Sequence, residues 1–412
     1  MFLKKWWKQY RPITFITSSV GFFCEKKPVF TSRQRNYTDR PDFRTAARMK
    51  RRQFVTGMAA AGVAGCSQDS MECADGAVAS RETFEWNLVT SWPPGLPGLG
   101  IGVENLADRI EKASNGRLKI KVFAGGELVP ALEVLDAVSN GTVQMGHDSA
   151  YYHRGKAPAA QYFTTIPFGQ TVHEINAWLY YGGGLELWRE LYAEKFNVIP
   201  FPAGNTGVQM AGWFNKEINS VEDLQGLKMR IPGVGGEVMQ RAGASQITVP
   251  ASEIFTALQT GAIDAAEWVG PYNDIALGLH KAARYYYYPG WHEMGPMLQC
   301  TVNHDAWNSL PADLQEIVAN VCQAINTDMM AEYTWGNAVA LEQIKADPNV
   351  ELKQLPDDVL RLLKKLSKEV IEEMAANDEW SARIKASFDD FQRIVIPHHE
   401  ISELAYLKAR QL

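Results

Sequence analysis

The sequence predicts an α/β fold of two similar lobes that face each other across a cleft. The main observation is an internal repeat. Residues 130–152 and 250–272 align without gaps, share Pro, Ala, Glu, Ala, Gly and a final Tyr, and agree at their apolar positions. In each copy an amphipathic helix pattern ends at Gly141 or Gly261, and a short apolar strand and a loop follow. Strand and helix patterns alternate along the rest of the chain, which favours largely parallel sheets.

The first lobe is predicted to span residues 83–207. Strands are expected where apolar and polar residues alternate, at 84–90 and 118–123, and at the short apolar run 196–200. Between the first two strands, an amphipathic pattern predicts a helix over 103–113.

The second lobe is predicted to span residues 208–295. Its strands are expected at 208–214, 227–231 and 247–249, with a helix at 235–242. From 356 to about 394 the apolar residues fall on one face of a helix. We expect this helical region either to wrap both lobes or to meet another copy of the chain.

Residues 49–65 carry the pattern of an export signal. Twin arginines precede an apolar run that is too short to span a bilayer as a helix, which resembles a Tat signal. The run ends in a lipobox-like Val-Ala-Gly-Cys, which predicts that Cys66 is the lipidated first residue of the mature protein. The small, polar residues of 66–82 suit a tether. Residues 1–48 would then be a non-native extension upstream of Met49, the alternative being a genuine basic tail.

The net charge of the chain depends strongly on its first 65 residues. That segment holds 14 Lys and Arg against 3 acidic residues, so removing it changes the net charge from −6 to −17. A domain this acidic is a poor nucleic-acid binder, because contacts to phosphates dominate such affinity. It suits a soluble protein outside the cytoplasm.

The cysteines indicate neither a disulfide framework nor a zinc site. There are five, and they are scattered along the chain. The sequence contains no Cys-x-x-Cys or His-Glu-x-x-His motif. Cys300 and Cys322 lie in apolar stretches and are predicted to be small core residues.

Arg230 is the first candidate for ligand binding. It ends a predicted strand and is followed by Pro232 and Gly233, which force the chain to turn. Ligands in open α/β sheets bind at the carboxyl ends of strands, and an arginine there can hold a carboxylate with two parallel hydrogen bonds. The alternative is a surface arginine on an edge strand.

Two acidic residues are also candidates for the site. Glu267 and Trp268 come directly after the strand of the second repeat, and Glu293 follows Trp291 and His292. A carboxylate in such apolar surroundings needs an ion-pair partner or a cation. Either one could instead be a solvated loop charge.

The segment that connects the two predicted lobes also contains residues able to bind a ligand. Glycines around Asn205 and Gln209 suit a hinge or a close backbone approach, and both amides could meet a polar ligand. Aromatic residues are dense in the same loops, and about half of them are expected to line the cleft. These aromatics are Trp92, Tyr151, Tyr152, Phe168, Trp213, Trp268 and Trp291.

Two other patterns do not indicate a binding site. The glycines of residues 98–102 follow a strand and open a helix, but their spacing is not that of a dinucleotide-binding loop and prolines crowd them. His398 and His399 have no third ligand at metal spacing. No nucleophile and base are brought together, so the sequence does not predict an enzyme.

Three segments resemble the solute-binding subunit of TRAP transporters, the DctP-like family. They are GNTGVQMAGWFNKEINSVEDLQGLKMRIPG at 204–233, AAEWVGPYND at 265–274 and YYYYPGWHEMG at 285–295. The resemblance runs from residue 84 to the C-terminus and is closest to the branch that binds α-keto acids and related monocarboxylates. It implies a class II-like, two-lobed periplasmic binding protein fold with hinge strands, which closes around its ligand. Residues 296–335 would return to the first lobe, and 336–412 would return to the second and form a long C-terminal helical region.

The resemblance also implies the residues that hold the solute. Arg230 takes the place of the family's carboxylate-binding arginine. Gln209 resembles a ligand shared by substrate and cation. Asn205, Tyr151 and Trp268 resemble substrate neighbours.

A cation site is implied in the same way. Glu267, the backbone carbonyl of Trp268 and Gln209 resemble metal ligands of this branch, and Glu293 takes a position where a sodium-binding member has an amide. Two carboxylates plus that of the substrate would place three negative charges around one cation. Hard oxygen ligands in that number favour Ca²⁺ over Na⁺.

The function implied is the periplasmic capture of a 2-oxo or 2-hydroxy monocarboxylate and its delivery to a TRAP membrane permease, with no catalysis. A sugar acid or an aromatic acid is an alternative solute, since Arg230 predicts only a carboxylate. A metal-dependent extracytoplasmic enzyme and the ligand-binding module of a sensor kinase are alternative classes. The C-terminal helices could also form a homodimer.

Overall fold

The computed structural model describes residues 82–412. The predicted extension, the export signal, Cys66 and all but the last residue of the predicted tether lie outside this range. No helix of residues 82–412 has both the length and the apolar character needed to cross a bilayer.

Eleven strands of the described range form two sheets. The strands are β1 (Phe84–Thr90), β2 (Leu118–Phe123), β3 (Met145–Asp148), β4 (Val198–Asn205), β5 (Gly212–Phe214), β6 (Lys228–Arg230), β7 (Ser245–Ile247), β8 (Ala265–Ala266), β9 (Tyr285–Tyr288), β10 (Met297–Asn303) and β11 (Glu351–Gln354). The first sheet has the order β2-β1-β3-β10-β4 and the second the order β11-β9-β5-β8-β6-β7. Each sheet is the centre of one lobe, which confirms the predicted two-lobed α/β class.

Helices cover both sheets. They are α1 (Leu99–Ala113), α2 (Val134–Ser139), α3 (Val172–Tyr181), α4 (Gly184–Lys195), α5 (Gly233–Arg241), α6 (Ala251–Gln259), α7 (Pro271–Ala276), α8 (His304–Ser309), α9 (Ala312–Ala346), α10 (Asp357–Asn377), α11 (Glu379–Ile401) and α12 (Glu403–Ala409). Short 3-10 helices include Ala150–His153 and Pro158–Phe163.

The two repeats occupy equivalent places in the two lobes. The first forms α2 and β3, and the second forms α6 and β8. β3 lies between parallel β1 and antiparallel β10, just as β8 lies between parallel β6 and antiparallel β5. Gly141 and Gly261 both have positive φ, which lets the chain turn from helix into strand.

The expectation of largely parallel sheets holds for all but one strand of each sheet, namely β10 in the first and β5 in the second. The chain crosses between lobes from β4 to β5 and again from β9 to β10. A strand that arrives from the other lobe enters its sheet from the cleft side, where the parallel strands end. β5 and β10 therefore run antiparallel to their neighbours.

The C-terminal helices reach both lobes. Helix α9 packs against α1 and β4 of the first lobe and α7 of the second, and the predicted boundary at 335/336 falls inside it. Helix α10 packs on α5 of the second lobe, whereas α11 packs on α3 and α4 of the first. Asp378 separates α10 from α11 because its carboxylate accepts the backbone N–H of Ser381 at 2.7 Å.

Candidate functional site

The site lies at the carboxyl ends of β6 and β8. The two segments that cross between the lobes, from β4 to β5 and from β9 to β10, run next to it. Arg230 is the last residue of β6 and pairs in register with Ala266, so its side chain is next to Glu267. β6 lies between β7 and β8, and Arg230 is 1% exposed. The alternative of a surface arginine on an edge strand is therefore wrong.

Arg230 forms a buried ion pair with Glu267. Its Nη1 donates to Glu267 Oε1 and to the Glu267 backbone carbonyl at 3.1 Å, and its Nε donates to the Val249 carbonyl at 3.2 Å. Its Nη2 has no hydrogen-bond partner. Burying a guanidinium whose N–H donor has no partner costs free energy. An anionic ligand would accept a hydrogen bond from that donor and balance the charge.

Three buried groups beside this pair have the composition of a cation site. Glu267, His292 and Glu293 each offer a ligand atom, and these atoms lie within 4.8 Å of one another. His292 Nε2 is 3.2 Å from Glu267 Oε2, and Gln209 Nε2 donates to Glu293 Oε2 at 2.8 Å. The Oε1 of Gln209 has no partner. The carboxylate and amide oxygens fit a hard cation, whereas the His292 nitrogen is not a ligand type that Ca²⁺ or Na⁺ favours.

The electrostatics of Glu293 favour a compensating positive charge. Burial, followed by the negative charge of Glu267, raises the pKa of the Glu293 carboxyl well above its usual range. The charge of Arg230 and a hydrogen bond from Tyr151 oppose this effect. A buried carboxyl beside a second negative charge is ionised more readily when a further cation lies nearby.

A narrow cavity lies between the lobes next to these groups. It brings together four of the predicted site residues: Tyr151, Gln209, Trp268 and Glu293. Trp92 and Tyr152 also line it, whereas Phe168, Trp213 and Trp291 do not, so about half of the aromatics reach the cleft as expected. Burial raises the pKa of Tyr152 to about 12, which keeps its phenol protonated as a donor.

Three predicted residues lie outside the lining of this cavity. Arg230 and Glu267 sit behind Trp268, whose ring lies 5.2 Å from the guanidinium carbon of Arg230. Asn205 is fully buried, donating from Nδ2 to the Gly295 carbonyl and accepting the Gly207 N–H, each at 2.9 Å. It ties the two crossings together, and its role beside the substrate stays a prediction.

Sequence reasoning missed His292 as a member of the site. It directly precedes Glu293, but nothing in the local pattern indicates that its ring turns towards Glu267, 25 residues away. The clustering of Trp, His and Glu within residues 291–293, just after the run of four tyrosines at 285–288, is the signal that could have found it.

A further buried carboxylate, Asp274, shapes the loop after β8. It accepts hydrogen bonds from Trp213 Nε1 at 2.9 Å and from the Tyr286 hydroxyl at 2.7 Å. It also accepts the backbone N–H groups of Val269 and Gly270. Burial raises the pKa of Asp274 to about 7 despite these four bonds.

Asp274 therefore predicts a pH dependence of stability. The unfolded carboxyl releases its proton near 3.8, whereas the folded one keeps it up to about 7. Between these values the folded state binds more protons, so raising the pH lowers the free energy of unfolding. We expect wild type to lose on the order of 3 kcal/mol relative to Asp274→Asn between about pH 4 and pH 8. Urea unfolding of both proteins across this range measures the difference, and a constant difference would contradict the prediction.

Comparison with known proteins places this arrangement in a family. Residues 89–378 match the family described as bacterial extracellular solute-binding protein, family 7 (DctP). A monocarboxylate 2-oxoacid-binding periplasmic protein of Nostoc is 45% identical over 362 residues, which cover 87% of this chain and 98% of that protein.

Two solved structures are also similar along most of the chain. One is a TRAP periplasmic solute-binding protein from Colwellia psychrerythraea with bound calcium and pyruvate, with 43% identity and a TM-score of 0.77, covering 80% of this chain and 100% of its own. The other, from Pseudoalteromonas atlantica with bound sodium and pyruvate, has 43% identity and a TM-score of 0.77, covering 79% and 99%. The family resemblance read from the three sequence segments is confirmed. The chain belongs to bacterial extracellular solute-binding protein family 7, the DctP family of TRAP transporter solute-binding proteins.

Proposed function

We propose that this protein captures a small 2-oxo or 2-hydroxy monocarboxylate between its lobes, together with a cation. The observation that carries the proposal is the buried Arg230, whose Nη2 has no partner, beside a cluster of buried ligand groups of which Glu293 lines the cavity between the lobes. The names of the similar proteins, which mention 2-oxoacids and pyruvate, support the same class of solute.

Each site residue has a distinct role in this proposal. Arg230 pairs with the carboxylate of the solute, which takes up the free N–H and balances the guanidinium charge. Glu267, Glu293, Gln209 and the Trp268 carbonyl are the groups that would hold the cation. When bound, the cation supplies the positive charge that these carboxylates lack and offers a second contact to the solute. Ca²⁺ is favoured over Na⁺ because two protein carboxylates contribute to the site.

Contacts between the lobes support capture by closure. Arg154 Nη1 of the first lobe donates to the Gly233 carbonyl of the second at 3.1 Å, and Asn273 Nδ2 donates to the Pro97 carbonyl at 2.8 Å. Excluding water from the cavity strengthens the charged contacts, because they then act in a lower dielectric. Micromolar binding requires about −8 kcal/mol, which one charge-assisted pair, a bound cation and modest apolar burial can supply.

Calorimetry of the chelator-treated protein tests the proposal. We expect pyruvate or lactate to bind in the presence of Ca²⁺ and more weakly with Na⁺ alone. Equal binding with both cations would contradict the preference for Ca²⁺. A thermal-shift screen that stabilises the protein with sugar acids or aromatic acids, but with no short 2-oxo or 2-hydroxy acid, would overturn the solute class.

Transport without catalysis is the role that fits this family. The bound solute is delivered to a TRAP membrane permease and leaves the site unchanged. Recovery of a chemically altered acid after incubation with the protein would instead indicate an enzyme. Reconstituted uptake that needs both this protein and its permease would support delivery.

We also propose that the chain is exported by the Tat pathway and anchored through a lipid on Cys66. The twin-arginine segment and the lipobox-like sequence support this reading. Mass spectrometry of the mature N-terminus measures it directly. An unmodified Cys66, or a Cys66→Ser variant that stays in the membrane fraction, would contradict the anchor.

A homodimer through the C-terminal helices is a further part of the proposal. Large apolar side chains are exposed on α11 and α12, among them Ile394, Ile401 and Tyr406, which are 66%, 79% and 65% exposed. Light scattering during gel filtration measures the oligomeric state. A monomer at all concentrations would rule the dimer out.

A further inference from the structure

His147, at the end of β3, is buried and hydrogen-bonded through both ring nitrogens. Trp92 Nε1 lies 2.8 Å from His147 Nδ1, and His147 Nε2 lies 3.1 Å from the Ala203 carbonyl. An indole N–H can only donate, so Nδ1 accepts, and Nε2 carries the proton and donates to Ala203. Burial lowers the pKa of His147, which favours this neutral form. The ring therefore ties the segment after β1 to β3 and β4.

These bonds fix the orientation of Trp92. Its backbone carbonyl also accepts the N–H of Gly125 at 2.8 Å. The indole meets the Tyr152 ring at a centroid distance of 6.5 Å and the Trp268 ring of the opposite lobe at 6.3 Å. Trp92 of the first lobe thus contacts Trp268, whose ring lies over the guanidinium of Arg230.

The cavity has both polar and apolar lining residues. Gln209 and Glu293 on the crossings are polar, and Arg230 acts electrostatically on Glu293 from outside the lining. Trp92, Leu99 and Leu298 of the first lobe are apolar. A carboxylic acid whose charged group is held by Gln209, Glu293 and their cation has these apolar residues available to its carbon chain.

We propose that Trp92 sets the maximum length of the carbon chain of the solute and that His147 is the positioning residue for Trp92. This inference rests on the proposed function, because it concerns the solute bound in the same cavity. Trp92 is the largest side chain that the first lobe contributes to the wall of the cavity. To admit a longer chain the indole would have to turn away, which would leave buried polar atoms of both Trp92 and His147 unpaired.

Three variants test the inference. Trp92→Phe removes both the bulk of the indole and its N–H. His147→Asn places an amide oxygen near the Nδ1 position, so it can still accept from Trp92. His147→Gln places its amide near the Nε2 position, so it keeps a donor to Ala203 but no acceptor for Trp92. The asparagine and glutamine variants form a matched pair, since each loses one of the two hydrogen bonds.

The measurement is the ratio of dissociation constants for 2-oxopentanoate and pyruvate, by calorimetry with Ca²⁺ present. For wild type we expect a preference for pyruvate of at least about tenfold, the scale of discrimination for extra methylenes against a packed wall. Trp92→Phe and His147→Gln should lower this ratio several-fold, whereas His147→Asn should keep it. Thermal unfolding checks that each variant is folded, and Trp92→Phe carries the test if a histidine variant is not.

The outcomes separate the two proposals. If wild type prefers pyruvate and both Trp92→Phe and His147→Gln leave the ratio unchanged, the role of Trp92 is overturned and the proposed function stands. A ratio that falls equally in His147→Asn and His147→Gln would overturn the positioning role of His147. If wild type binds neither acid, the proposed function fails and this inference fails with it.

Discussion

Replacing Arg230 by methionine is expected to abolish the binding of pyruvate, weakening it by at least about 100-fold. Removing one member of a desolvated charge pair costs about 2–5 kcal/mol or more. Here the variant would also take away the Nη2 donor that has no partner within the protein. Calorimetry with Ca²⁺ present measures the loss.

Two controls separate binding from folding. The Arg230→Met variant leaves Glu267 buried without its arginine, which is destabilising by about 3–5 kcal/mol. The double variant Arg230→Met/Glu267→Gln removes both charges and should recover much of this stability while still failing to bind pyruvate. Arg241→Met, which breaks a largely exposed pair with Glu373 on the second lobe, should bind pyruvate like wild type. Near-normal binding by Arg230→Met would refute the carboxylate role of Arg230.

The Glu293→Gln variant is expected to exchange the cation preference from Ca²⁺ to Na⁺. Calcium affinity follows the number of charged ligands, so loss of one buried carboxylate should weaken Ca²⁺ binding by about tenfold to 100-fold. The amide keeps an oxygen at the same position, which suits a monovalent ion. Pyruvate titrations of chelator-treated protein with each cation give the two affinities.

A matched substitution on the surface serves as the control for Glu293. Glu369 on α10 is half exposed, and its carboxylate lies 3.9 Å from the Lys365 ammonium, which makes a weak surface pair. Because Glu369 is not part of the site, Glu369→Gln should change the affinity for neither cation. If Glu293→Gln keeps the wild-type preference, Glu293 is not a cation ligand. Loss of pyruvate binding with both cations would instead show that its charge acts on the solute.

Several elements could be predicted from local pattern alone. The expected strands at 84–90 and 118–123 match β1 and β2 because apolar and polar residues alternate along the first five positions of each segment. The repeat units were also placed in the right order, since helix, glycine turn and strand are each specified within about ten residues.

Prediction was less successful where the chain crosses between lobes. A strand was expected over 208–214, but β5 begins at Gly212. Residues before it pair with the second crossing instead, as the N–H of Gln209 donates to the Glu293 carbonyl at 3.0 Å. Local pattern does not distinguish a segment that crosses between lobes from a strand, since both can contain apolar residues.

The amino-acid sequence alone predicts a charged or aromatic residue at the end of each central strand. It also yields the two lobes and the position of Arg230 and Glu267, because strand ends follow from short-range pattern. The choice of partners depends on the folded chain. Arg230 and Glu267 are 37 residues apart, Trp92 and His147 are 55 apart, and Gln209 and Glu293 are 84 apart. Which groups pair and which donor stays free are decided by burial and long-range contact, which no local pattern contains.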